Sequence, residues 1–363
     1  MVRSLGVGGS ERQLTEIAKA LDRRCFAPHV GCFHDDGFRA QELRQAGVPV
    51  AKFPVTSFLH PSVVPNVLAF GRYVQRHKIT LVHTFDVPLN LFGVPAARLF
   101  RVPCVLSSQR AHRSLTPGLE RWLLRVTDRL VDGIVVNSSS VTRELVEKDR
   151  VPLPRIRLCH NGVDACLFGS TPRGRTGPLV VGVVCALRPE KNLEILIQAF
   201  ARLHPELDCT LLIVGSGPAA PKLQAMAEEL GLGKRAKFKP ATKDVAAVLR
   251  QIDIFVLPSS SEALSNSLME AMACGCCVIA SRVGGNPELV EHRRNGLLFR
   301  VGDAEDLAGC LDLVLRDPDL RERLAAAGRQ RIETEFTIAR AANCMGEIYS
   351  QVLASKLRLT TSS

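Results

Sequence analysis

With 363 residues, 46% of them hydrophobic and 23% charged, the chain has globular usage and enough length to bury two cores, so a disordered or fibrous protein is excluded. No run of 18 apolar residues occurs, so no spanning helix is expected. The net charge of +11 lies in the first half: residues 1–175 hold 25 basic against 14 acidic side chains, and residues 176–363 hold 22 of each.

Such asymmetry points to an anionic partner surface in the first half, either a membrane or a nucleic acid. Aromatic residues make up only 5% of the chain and no stacking platform is visible, so nucleic acid is the weaker fit. The start, Met1-Val-Arg-Ser-Leu-Gly6, shows no basic-apolar-small leader. The twelve cysteines are scattered, with Cys274, Cys276 and Cys277 in a segment of small residues. They read as buried free thiols of a reducing compartment, and a cytoplasmic location is expected.

In chain order, Leu5 to Leu21 reads as a glycine loop opening a helix, with apolar positions at Leu14, Ile17, Ala18 and Leu21. Gly8 and Gly9 remove the Cβ atoms that would block a ligand, although a tight structural turn is an equal reading. Strand-like and helical runs then alternate: Ala27 to Phe33, Phe38 to Ala46, Pro49 to Phe53, Pro65 to His77, Leu81 to Thr84, Asn90 to Phe100, and Cys104 to Ser108. That alternation is the pattern of a doubly wound parallel sheet. His83, Gln109, Arg110 and His112 fall at strand carboxyl ends, where open α/β sheets bind ligands. Local turn packing accounts equally well for Gln109, and an exposed loop arginine for Arg110.

Between Thr116 and Leu130, the residues Leu119, Trp122, Leu123, Val126 and Leu130 form an apolar stripe at helical spacing, flanked by Arg121, Arg125 and Arg129. The reading favoured here is a core-facing helix with a solvated basic face; the competing one is a helix lying on an anionic membrane. Ile134 to Ser138 and Val141 to Glu147 give a further strand and helix. Asn161-Gly162 marks a turn, and Gly169 to Pro178 reads as a linker.

The second half opens with a buried strand, Leu179 to Leu187, followed by Arg188-Pro-Glu-Lys-Asn192. Arg188 and Lys191 at this turn could neutralise a departing diphosphate, or be plain surface charges. Leu211 to Val214 and the turn carrying Gly215 and Gly217 come next. Asp317-Pro-Asp319 lies between two helices and reads as an N-cap and turn rather than a metal motif. No metal site is expected.

The densest stretch runs from Val256 to Val290. A buried strand breaks at Pro258 and a serine run, and a helix starts with Ser265 or Asn266 as N-cap. Its first turn, Asn266 and Ser267 included, aims backbone N–H groups and a positive dipole end at whatever lies beyond the strand, which suits an anion. Glu262 lies in the loop and Glu270 about two turns into the helix. As acceptors, they could bond sugar hydroxyls beside a bound phosphate; in isolation such a pair reads as two solvated carboxylates.

Glu262, seven residues, Glu270, then Ala271-Met-Ala-Cys-Gly275, a strand, and Gly284-Gly-Asn-Pro-Glu288 together resemble the donor site of retaining GT-B glycosyltransferases, glycosyltransferase family four of the group 1 type. Ile156 to Asp164 resembles the family's turn closing the first domain. The resemblance implies an α/β GT-B fold, two Rossmann-like parallel-sheet domains facing a cleft. Residues 1–168 would bind the acceptor, 178–335 the sugar nucleotide, and 336–363 would form a helix returning to the first domain.

It further implies a nucleotide-sugar donor, a glycan or lipid-linked acceptor, and no cofactor or metal. Glu262, Lys191 and Arg188 would be catalytic. Glu270, Ser265, Asn266, Ser267, Gly215 and Gly217 would bind donor, while Gly8, Gly9, His83, Gln109 and Arg110 would line the acceptor side. Three departures stand out: Ala186 replaces the family's arginine, Gln109 its histidine, and Pro240 a glycine near the base. Only Met1 to Ser4 stand where a full first strand is usual, which would leave a central sheet position unfilled. Alternatives are a sugar-nucleotide 2-epimerase of GT-B fold or a non-catalytic sugar-nucleotide binder.

Overall fold

The computed structural model describes residues 1–6, 8–58, 60–169 and 177–361. The linker expected over Gly169 to Pro178 lies mostly outside them. The chain divides into two compact units, Met1–Gly162 with Ile338–Ser363, and Val163–Thr337.

In the first unit, strands and helices alternate: β1 Val2–Ser4, α1 Gly9–Ala20, β2 Val30–His34, α2 Phe38–Gln45, β3 Val50–Lys52, α3 Val63–Arg76, β4 Leu81–Thr84, α4 Val87–Leu99, β5 Cys104–Gln109, α5 Gly118–Leu130, β6 Gly133–Val136, α6 Ser139–Glu147 and β7 Ile156–Leu158. The orders β3-β2-β1 and β4-β5-β6-β7 are parallel throughout. Phe85 N–H donates to Met1 O at 2.9 Å and the Met1 amine to His83 O at 2.5 Å, which seats β1 beside β4. The central position anticipated to be empty is therefore occupied, by a strand of three residues. A cavity of about 330 Å³ lies near the starts of β2 and β4, lined by Leu14, Ile17, Val30, Phe53, Tyr73 and Val82 among others.

The second unit holds β8 Leu179–Val184, α7 Leu193–Ala201, β9 Cys209–Val214, α8 Ala220–Glu229, β10 Ala236–Lys239, α9 Val245–Leu249, β11 Ile254–Leu257, α10 Asn266–Ala273, β12 Cys277–Ser281, α11 Asn286–Leu289, β13 Leu297–Phe299, α12 Ala304–Arg316 and α13 Pro318–Glu335. Its sheet is parallel, in the order β10-β9-β8-β11-β12-β13. Strands such as Ile254-Phe-Val-Leu257 and Cys277-Val-Ile-Ala280 are fully buried because helices cover both faces of such a sheet. Helix starts follow the caps: Asp303 and Asp317 each accept first-turn N–H groups, with Pro318 in the first turn of α13. Asp317-Pro-Asp319 is thus the cap and turn expected from sequence.

The last helix, α14 Ile338–Thr361, belongs to the first unit. Its Ala341, Met345, Ile348, Tyr349 and Val352 share a core with Val2, Leu14 and Ile17.

A further sequence expectation fails in this unit. On α5 the buried residues are Leu124, Thr127 and Asp128, whereas Leu119 is 72% and Trp122 59% exposed, with Val126 and Leu130 also exposed. The stripe read as core-facing points outward. The reason lies in Arg113, a buried cation whose carboxylate partner is Asp128 at 2.8 Å; seating Asp128 inward turns the stripe away from the core.

Candidate active site

The order of the second sheet reverses between β8 and β11, and open α/β sheets bind ligands at the carboxyl ends of strands at such a switch point. Lys191 follows β8 and Glu262 follows β11. Lys191 ends a short 3-10 turn, Pro189–Lys191, and Asn192 takes a left-handed φ of 50°, which asparagine tolerates, before α7 begins. The topology thus makes two loops far apart in sequence neighbours. Ser260 N–H donates to Glu190 O at 2.9 Å, and Lys191 Nζ donates to Glu262 Oε1 at 2.5 Å. Burial pulls the Lys191 pKa down, but the charge of Glu262 and the hydrogen bond to it outweigh burial and leave it raised.

Ser259, Ser281 and Asn286 hold Glu262 in place, and sequence reasoning missed all three. Ser259 Oγ donates to Glu262 Oε1 at 2.7 Å, Ser281 Oγ donates to Ser259 O at 2.6 Å, and Asn286 Nδ2 donates to Ser281 O at 3.0 Å. All three are 2% exposed or less. The available signal was the placement of Ser259 just beyond β11 and of Ser281 as the last residue of β12, both at the ends of apolar runs. Gly284 and Gly285 complete the cradle. A Cβ on Gly285 would stand 1.9 Å from Ala263 O, so only glycine lets this turn press against the Glu262 loop.

Ser265 is the N-cap of α10, its Oγ accepting from Leu268 N–H at 3.3 Å. Asn266 and Ser267 open the first turn of α10, at the positive end of its dipole. Glu270 is the fifth residue of α10, so it lies one turn in rather than two, and it is buried. Glu270 therefore faces packed surroundings, as its small apolar neighbours indicated.

Other sequence candidates have structural jobs. Arg188 is 64% exposed and pairs with Glu190 at 3.9 Å. Gly215 and Gly217 let the turn after β9 lie against the backbone of Cys185 and Leu187, where a Cβ would come within 1.9 and 2.3 Å of carbonyl oxygens. Gly8 caps α1 under the folded-back Glu11 carboxylate, and Gly9 is the first residue of that helix.

In the first unit, His83 is buried with both ring nitrogens engaged, Nδ1 with Tyr349 Oη and Nε2 with Ser108 Oγ, each at 2.9 Å. Burial holds its pKa well below the usual value, aided by the Met1 amine and Arg110. These bonds tie α14 to β4 and β5. Gln109 is likewise used internally, donating to Ala111 O at 2.6 Å and accepting from Arg113 Nε at 3.1 Å. Arg110 bonds Asn161 and lies over the Phe85 ring, and its Nη1 has no hydrogen-bond partner. Burial brings its pKa down to about 10. Of these three, Arg110 is the one with a donor still to satisfy. His112 instead pairs with Glu144 at 2.7 Å.

The chain resembles known proteins in sequence and in fold. A family model described as Glycosyltransferase Family 4 covers residues 7–166, and one described as Glycosyl transferases group 1 covers residues 172–331. A GDP-mannose-dependent alpha-(1-6)-phosphatidylinositol monomannoside mannosyltransferase of Mycobacterium tuberculosis is 30% identical over 317 residues, 81% of each chain. The chain belongs to the group 1 glycosyltransferases. Within the family it is also 32% identical over 166 residues to an N-acetyl-alpha-D-glucosaminyl L-malate synthase of Bacillus anthracis, a match spanning 46% of this chain and 44% of that one. Its fold is GT-B. The Anabaena protein Alr3699/HepE, solved in complex with UDP-glucose, superposes with a TM-score of 0.82 at 25% identity, over 96% of this chain and 99% of the other.

Proposed function

We propose that this group 1 glycosyltransferase moves a sugar, with retention at the anomeric carbon, from a nucleotide-sugar donor to a glycan or lipid-linked acceptor at the cytoplasmic face of a membrane. The observation that carries the reading is the Lys191–Glu262 pair at the switch point of the second sheet, beside the N-terminus of α10. A donor diphosphate draws Lys191 and the first-turn amides of α10, and the released Glu262 bonds the sugar hydroxyls. The same cation and amides stabilise the leaving diphosphate as the bond between the anomeric carbon and its phosphate oxygen breaks; the acceptor oxygen bonds that carbon, and a diphosphate oxygen takes the acceptor hydroxyl's proton. Buried Glu270 bonds the ribose, and this scheme routes no step through a metal. The printed names of the relatives above, one GDP-mannose-dependent and one complexed with UDP-glucose, support a nucleotide-sugar donor.

Arg110, with an unsatisfied Nη1, is the better candidate for an anionic acceptor group than His83 or Gln109. The exposed Leu119, Trp122, Val126 and Leu130, beside Arg121, Arg125 and Arg129, support contact with an anionic lipid surface. Among the described residues no helix is long and apolar enough to cross a membrane.

The test incubates the protein with UDP-, GDP- and ADP-sugars and a membrane lipid extract, following nucleotide release and labelled product. Acceptor-dependent release that falls by about 10²–10³-fold in Glu262→Gln supports the reading. Release without acceptor points instead to an epimerase, and donor binding without turnover to a binding protein.

A further inference from the structure

The main chain leaves the first unit after Gly162 and returns at Ile338. Close to these two crossings stand Cys159, one residue past β7, and Cys344, on α14. Their side chains are hydrogen-bonded to each other, Cys159 Sγ also reaching Ala341 O and Cys344 Sγ reaching Leu158 O, each at 3.6 Å. Cys159 is 1% exposed, whereas Cys344 is only half-buried. We propose that Cys344 and Cys159 form a peroxide-reactive dithiol, with Cys344 as the attacking thiol and Cys159 as the resolving one.

The electrostatics suit these roles. The contact with Cys159 lowers the pKa of the Cys344 thiol, against burial and Glu347. The same contact, with burial, pushes Cys159 far up. Of the two thiols, the half-buried Cys344 is the one that peroxide can reach, while Cys159 is enclosed. Cys344 thiolate attacks one peroxide oxygen, the O–O bond breaks, and with one proton the products are a sulfenic acid and water. The Cys159 sulfur then attacks the sulfenic sulfur; its proton leaves with the hydroxyl as a second water, and the disulfide forms. Two thiols and one hydrogen peroxide become one disulfide and two waters. The bond would tie β7's exit to α14, bracketing both chain connections to Val163–Thr337.

The experiment treats the full chain carrying Cys25→Ser and Cys166→Ser, which removes the two exposed thiols, with a small excess of hydrogen peroxide. Thiols are titrated after denaturation and non-reducing peptides mapped by mass spectrometry. The expected result is the loss of two thiols and a linked peptide pair holding Cys159 and Cys344, reversed by dithiothreitol. Adding Cys159→Ser should leave Cys344 as a sulfenic acid that dimedone traps, and adding Cys344→Ser should abolish both signals. Crosslinks to other cysteines, stepwise oxidation of Cys344 to the sulfinic acid with Cys159 intact, or thiol loss unchanged by Cys344→Ser would each overturn the assignment.

Discussion

Glu262 and Lys191 neutralise each other at 2.5 Å with side chains only 10% and 19% exposed, so deleting either strands a charge in a poorly solvated place, at about 3–5 kcal/mol for a fully buried pair and less here. Glu262→Gln keeps the shape and the Ser259 hydrogen bond but leaves Lys191 without its counter-charge, so its melting temperature should fall while the fold is retained and transfer collapses; circular dichroism beside the turnover assay separates the two. His83 sets a pH limit. Its folded-state pKa lies well below 6.5, so below that pH the unfolded chain binds a proton that the folded chain does not. Stability should therefore decline as pH falls from 6.5 towards 5, by up to about 1.4 kcal/mol per pH unit for this single proton. Urea titrations of the wild type and His83→Gln should show that component only in the wild type.

At the scale of elements, the turn after β12 and the loop after β11 are shaped together. Gly285→Ala brings a methyl group into Ala263 O, and one of the two segments must move; the cheaper displacement is that of the Glu262 loop. Donor affinity and turnover should fall by at least about tenfold while far-UV circular dichroism is retained, whereas Gly309→Ala, where a Cβ meets open space within a helix, should be silent. Helix α5 offers another test, because Trp122 is the sole tryptophan of the chain. Its emission should shift to shorter wavelength with phosphatidylglycerol vesicles at low salt and stay unchanged with phosphatidylcholine, and Leu119→Ser should weaken the shift. An unchanged spectrum in both would remove the membrane contact from the proposal.

At the scale of the molecule, each unit owns a separate core, so a ligand held by residues of Val163–Thr337 should stabilise that unit directly. Calorimetry with the cognate nucleotide sugar at about 100 times its Kd should raise the stability of that transition by about 2.7 kcal/mol. Binding seen with Lys191→Ala undiminished would argue against the assigned site.

The alternation of apolar strands and amphipathic helices, the caps at Ser265 and Asp317, and the glycines at 284 and 285 were legible in the sequence, because each is a local requirement of backbone geometry. The Glu262 and Glu270 motif was legible too, since its spacing on one loop and one helix is local. What only the tertiary structure decided was pairing over long range. Parallel sheet order alone brings the loops of Lys191 and Glu262 together, and the buried hydroxyls behind them follow from that. The outward stripe of α5 could not be read from periodicity, because a buried Arg113 and its Asp128 partner overrode the apolar face. Likewise, His83 stands at a strand end where ligands are expected, yet Tyr349 and Ser108, distant in sequence, engage both its ring nitrogens.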